Sequence, residues 1–150
     1  MKQVFADTLY WVASITPGDP WHAPALRAGA ALGPVHLVTT EEVLVEFLSA
    51  YAGRGEYLRG KALQTVHAIL ANVHVTVRPQ THESFMTGLD FYASRADKAY
   101  SLVDCISMHT MRQVGLTEVL TNDHHFTQEG FTILITRCYR CPNGCRMYIF

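Results

Sequence analysis

The stretch from Ser101 to Phe126, SLVDCISMHTMRQVGLTEVLTNDHHF, decides the fold. Its first half has the periodicity of a helix, Gly115 supplies a stop, and a short strand follows. Asp104 sits near the helix start and Asp123 just past the strand. If that strand is parallel to its neighbours, both carboxylates reach the edge where open α/β sheets bind ligands.

Reading outward, the same alternation covers the chain. Lys2–Ala6 reads as a short buried strand, and Asp7-Thr8 opens an apolar helical segment, LYWVASI. TPGDP (16–20) is a turn, a helix follows from about Pro20, and Gly33-Pro34 ends it. Val35–Val38 is a second strand. Thr39 and Glu42 have capping-box spacing, and the helix beyond carries VLVEFLSAYAG. A further helix spans about 56–72, Val73–Arg78 alternates as a strand, and Thr81–Arg95 reads as a helix that Gly88 weakens. Phe131–Ile135 is a last strand. The order implies an α/β fold of three layers, α/β/α, with a mostly parallel central sheet.

Length and composition bound the class. The 150 residues suit one core, and 49% hydrophobic with 17% charged residues excludes a disordered polar chain. No apolar run is long enough to span a membrane, and Asp7 interrupts the start too early for a signal peptide, so the expectation is a soluble cytoplasmic protein without a membrane partner. The net charge of -1 excludes a globally basic nucleic-acid binder but not a local basic groove.

Four carboxylates stand out: Asp7 after the first strand, Glu46 within the apolar run VLVEFL, Asp104 and Asp123. A parallel sheet can gather all four at one edge. Like charges so placed need protonation or a cation, and Mg²⁺ or Mn²⁺ prefers oxygen ligands. Such a site suits phosphodiester hydrolysis. Each residue also has a structural reading. Asp7 can be an N-cap, Asp104 can close a capping box with Ser101, Glu46 can sit on a solvated face, and Asp123 can be a turn residue.

The segments VFADTLYW, TTEEVLVEFL, DKAYSLVDCISM and LTNDHHF resemble the successive motifs of PIN domains, above all the ribonuclease toxins of VapBC toxin–antitoxin pairs. The likeness runs from about Val4 to Leu134. It implies a PIN-like nuclease domain over 1–135 acting as a Mg²⁺- or Mn²⁺-dependent endoribonuclease. The family acids fall on Asp7, Glu46, Asp104 and Asp123. Thr8 and Thr121 match small hydroxyl positions, and Glu42 and Asp97 are neighbouring acids of lesser standing. The resemblance also implies an RNA substrate, a VapB-like antitoxin and a homodimer. Two alternatives stay open: a free-standing PIN nuclease, and a non-catalytic PIN-fold module that binds RNA or protein. A phospho-accepting receiver would want paired acids after the first strand and a late lysine. An aspartate phosphatase would want an acid where Leu9 stands.

Residues 136–150 form a cysteine-rich extension of unassigned role. Cys138, Cys141 and Cys145 give a CxxC pair and one further thiol, short of the four ligands of structural zinc. Cys105 is expected to face the core. His124-His125 is read as part of a structural turn, with metal binding as the rival. Trp11 and Trp21 are read as core or cover residues, with base stacking the alternative. Arg54, Arg59, Lys98 and Arg112 are candidate phosphate contacts.

Overall fold

The computed structural model describes residues 1–137 and, beyond them, the backbone of 139–140 and 146–147. The chain runs β1 (Lys2–Ala6), α1 (Thr8–Ile15), α2 (His22–Ala31), β2 (Val35–Thr40), α3 (Glu41–Ala50), α4 (Gly55–Ala71), β3 (Val75–Arg78), α5 (His82–Ser94), α6 (Leu102–Gln113), β4 (Glu118–Leu120), α7 (His125–Gln128) and β5 (Thr132–Ile133). A small antiparallel pair follows, β6 (Tyr139–Arg140) and β7 (Arg146–Met147). Cys138, Cys141 and Cys145 lie outside the described residues.

The main sheet has the order β3-β2-β1-β4-β5, and every pairing in it is parallel. β1 is central, so Val4, Phe5 and Ala6 are buried on both faces, as a continuous apolar run requires. β3 lies at an edge and keeps the two-residue alternation, with Val75 and Val77 half-buried and Thr76 and Arg78 exposed. Helices flank the sheet. Among the described residues no helix is long and apolar enough to cross a membrane.

Three local readings change. The cap of α3 is Thr40, whose Oγ1 accepts from the Val43 N–H at 3.2 Å. Thr39 instead stays in β2 and donates its hydroxyl to the Ala6 carbonyl at 2.8 Å, because the strand runs two residues further than Val38. Gly88 does not weaken α5. It lets that helix lie against α6, where a Cβ would collide with Ile106. The turn after Asp123 is a short helix, α7, and Gly115 at φ +72 closes α6 as expected.

Arg112 is not an open phosphate contact. Its Nη2 donates to Glu129 Oε2 at 2.7 Å, and its guanidinium lies over the Phe91 and Phe131 rings. Arg95 grips the same carboxylate from the end of α5 at 2.7 and 3.2 Å, and the Tyr100 hydroxyl donates to it at 3.1 Å. Glu129 therefore ties α5, α6 and the C-terminal end of α7 together with a side chain only 7% exposed. The hydrogen bonds from Arg95, ahead of those from Arg112 and Tyr100, hold its carboxyl down at about 2.

A lowered folded-state value means stabilisation that is complete above the ordinary 4.5 and is lost as pH falls toward about 2. Glu129→Gln should cost about 2 kcal/mol at neutral pH, the scale of charge-assisted hydrogen bonds to a buried group. In urea melts the gap from wild type should close as pH drops below ~4. A pH-independent gap would contradict the clamp.

Candidate metal centre

The sheet topology explains how distant acids meet. β1 and β4 are parallel neighbours, with Phe5 beside Val119 and Ala6 beside Leu120. Their carboxyl ends therefore coincide, and the residues just beyond, Asp7 and Thr121, are adjacent. The Asp7 N–H reaches the Leu120 carbonyl at 3.4 Å. Thr121, fully buried, donates its hydroxyl to Asp7 Oδ2 at 3.0 Å and accepts the Asp123 N–H at 3.2 Å. One hydroxyl thus fixes the relation of two acids far apart in sequence. Asp7 is the residue before α1, yet its side chain makes no capping bond.

Asp104 does cap. Its Oδ2 accepts from the Ser101 N–H at 2.9 Å, and the Ser101 hydroxyl accepts from the Asp104 N–H at 3.0 Å. The capping box and the site reading are both true, because the box pins a carboxylate whose side chain is 13% exposed. Asp123 Oδ1 accepts the His125 N–H at 2.9 Å, which holds it by the start of α7. Donor atoms of Asp104, Asp123 and His125 all lie within 4.8 Å of one another. His125 Nδ1 stands 3.5 Å from Asp104 Oδ2 and 3.3 Å from Asp123 Oδ1, buried and without a hydrogen bond. Its ring meets the Tyr100 ring edge-on at 5.3 Å, so the Glu129 clamp reaches the site through Tyr100.

The electrostatics match a crowd of acids. Burial first, then the charge of Asp104, push the Asp7 carboxyl up to about 7, against the Thr8 N–H and the Thr121 hydroxyl; Glu46 adds to the rise. Asp104 is raised by burial and by Asp123, with the Ser101 N–H and His125 opposing. Half-buried Glu46 is close enough to act on Asp7, and it also lines a cleft of about 610 Å³ between α3, α5 and α6. Among the described residues no lysine or arginine pairs with any of these four acids. Buried oxygen donors that repel one another and lack a cation fit a divalent ion of the Mg²⁺ or Mn²⁺ class.

The remaining expected residues divide. Thr8 is buried beside Asp7, its hydroxyl without a partner. Glu42 is buried but accepts the Ser84 hydroxyl at 2.7 Å, linking α3 to the start of α5. Asp97 is exposed and lies 3.7 Å from Lys98. His125 is the addition that sequence reasoning set aside; its place beside Asp123 was the signal. Cys105 is buried, and burial raises its thiol to about 11.

The comparisons with known proteins agree with this fold. The chain matches the PIN domain family over residues 4–131. It is 28% identical over 128 residues to the 23S rRNA-specific endonuclease VapC20 of Mycobacterium tuberculosis, in two strains, covering 85% of this chain and 95% of the relative. A crystal structure of M. tuberculosis VapC20, described as a sarcin–ricin loop cleaving toxin, superposes with a TM-score of 0.76 at 26% identity, covering 86% of this chain and 96% of that one. FitAcB from Neisseria gonorrhoeae shares the fold, with a TM-score of 0.58 at 17% identity over 87% and 96%.

An acid with a raised folded-state value costs stability as pH climbs from its unfolded value toward about 7. In EDTA, the melting temperature of wild type should therefore fall between pH ~4 and ~7. Asp7→Asn should flatten that fall and, in urea melts at pH ~8, exceed wild type in stability by more than about 1 kcal/mol. A variant less stable than wild type at pH ~8 would show that Asp7 is not under repulsion.

Proposed function

The chain belongs to the PIN domain family, and we propose that it is an endoribonuclease of the VapC toxin type, dependent on Mg²⁺ or Mn²⁺, with Asp7, Asp104, Asp123 and Glu46 as its acidic site. The observation that carries this reading is the convergence of buried, mutually repelling carboxylates at the carboxyl edge of the parallel sheet. Asp7, Asp104 and Asp123 would hold the ion, with Glu46 and His125 beside them. When bound, it supplies charge neutralisation and water activation for phosphodiester hydrolysis.

The chain's own part is preorganisation. Thr121 orients Asp7, the Ser101 N–H fixes Asp104, and the His125 N–H fixes Asp123. These bonds hold the donors in place before any ligand arrives, which removes reorganisation from the reaction. The Thr8 hydroxyl, buried beside Asp7 without a protein partner, suits a bound water. The printed target of the VapC20 relatives makes 23S rRNA the substrate to test first.

The antitoxin belongs to the same proposal. The cleft that begins at Glu46 is walled by Val45, Phe85, Leu102, Val103 and Ile106. That lining suits the apolar face of a partner helix, and a basic side chain from it would meet the carboxylates and compete with the ion. The outer face of α5 leaves Met86, Leu89 and Tyr92 about two-fifths to one-half exposed, an apolar stripe that a second copy would cover in a homodimer.

Purified protein should cut ribosomal RNA fragments with Mg²⁺ or Mn²⁺ and stop in EDTA. Asp104→Asn should slow cutting by more than about a hundredfold, the scale of losing a preorganised active-site charge. Cutting that persists in EDTA, or in the variant, would contradict the assignment. Metal binding without cutting of any RNA would favour the non-catalytic PIN-fold reading.

A further inference from the structure

β5 leaves the sheet on the side of the carboxylates. It runs parallel to β4, with Val119 beside Ile133, and the ladder continues until the Ile135 N–H meets the Thr121 carbonyl at 3.1 Å. Two residues further, β4's continuation reaches Asp123 and β5's reaches Arg137. By that register Arg137 stands at the same edge as the acids, in the segment beyond β5 as Asp123 is in the segment beyond β4. It is exposed, and its guanidinium lies 4.8 Å from the centre of the Trp21 ring. Trp21 is half-buried and packs against the core patch that contains Val4, Leu120 and Ile135. The ring is thus a platform anchored to the ends of the strands themselves.

Several other cations are engaged or lie elsewhere. Arg95 and Arg112 are bound to Glu129, Lys98 stands against Asp97, and Lys2 pairs with Glu118 at the opposite end of the sheet. Arg78 ends β3, two strands from β1, in a cavity it shares with Glu42 and Glu83. Arg137 has no acidic partner among the described residues. No Asp or Glu follows Glu129 in the sequence, whereas Arg140 and Arg146 do, and those two are register partners in the β6–β7 pair.

A cluster of acids repels a polyanion, so an RNA cleaved there needs positive charge to hold its flanking phosphates. An arginine with one face on an indole is preorganised, and its N–H fork remains open for two parallel bonds to a phosphate. We propose that Arg137, laid on Trp21, is a binding site for a backbone phosphate of single-stranded RNA flanking the scissile position. The inference rests on the ribonuclease reading above and adds to it where the substrate lies: across β4 toward β5, away from the apolar cleft at α3 and α5.

The test uses the full chain and a fluorescently labelled single-stranded RNA of ~20 nucleotides, with binding followed across a range of KCl concentrations. The Asp104→Asn background prevents cutting. Arg137→Ala should weaken binding about tenfold and flatten the plot of log affinity against log salt by about 0.7, one phosphate's share for a single strand. Arg137→Lys should keep the slope and recover part of the affinity. In otherwise wild-type protein, Arg137→Ala should raise KM and leave kcat within about twofold, as loss of ground-state binding does. Trp21→Phe keeps a ring under the arginine and should fall between wild type and Arg137→Ala. Unchanged affinity and slope in Arg137→Ala, with wild type still cutting RNA, would overturn this inference alone. A wild type that neither binds nor cuts RNA would overturn the ribonuclease reading and this one with it.

Discussion

The mutual repulsion of buried carboxylates at the carboxyl edge of the sheet is the constraint on which the structure turns. Parallel pairing of β1 and β4 sets Asp7 beside Thr121, two residues before Asp123, since both strands end at the same level. The Thr121 hydroxyl then serves both, donating to one acid and accepting from the backbone of the other. Burial and neighbouring charge lift Asp7 to about 7, so the metal-free fold holds this arrangement at a cost. Local strain of this kind is usual at functional sites and is offset elsewhere in the fold.

Glu129 sits in the opposite environment. Its carboxylate collects Arg95, Arg112 and Tyr100, and so ties α7 to α5 and α6. α7 begins at His125, and Asp123 is held by its first N–H. An acid deep in an arginine pair is stable where an acid among acids is not, and the chain uses the first to position the second. The edge-on contact of Tyr100 with His125 joins the two regions.

The sequence made the strand order's consequences legible because β1 ends in the apolar run Val4–Ala6 and Asp7, Asp104 and Asp123 each adjoin an element boundary. What it hid was set by tertiary contact. Thr39 and Thr40 are equivalent as caps until the length of β2 decides between them. Glu129 carries no signal in the sequence, because its three partners lie on other elements. Arg112 looked like a surface cation for the same reason. His125 follows Asp123 closely enough for a turn to explain it, and only the position of Asp104 shows that its ring faces two carboxylates. Gly88 read as a helix fault because the neighbour it admits, Ile106, is on a helix that pattern alone does not bring near.

The central claim is that these acids form one cation site. It is tested most directly by the anomalous diffraction of a crystal soaked in Mn²⁺. The account predicts density bounded by Asp7, Asp104 and Asp123, with Glu46 and His125 at its margin. Density elsewhere, or none at a Mn²⁺ concentration that supports RNA cleavage, would contradict it.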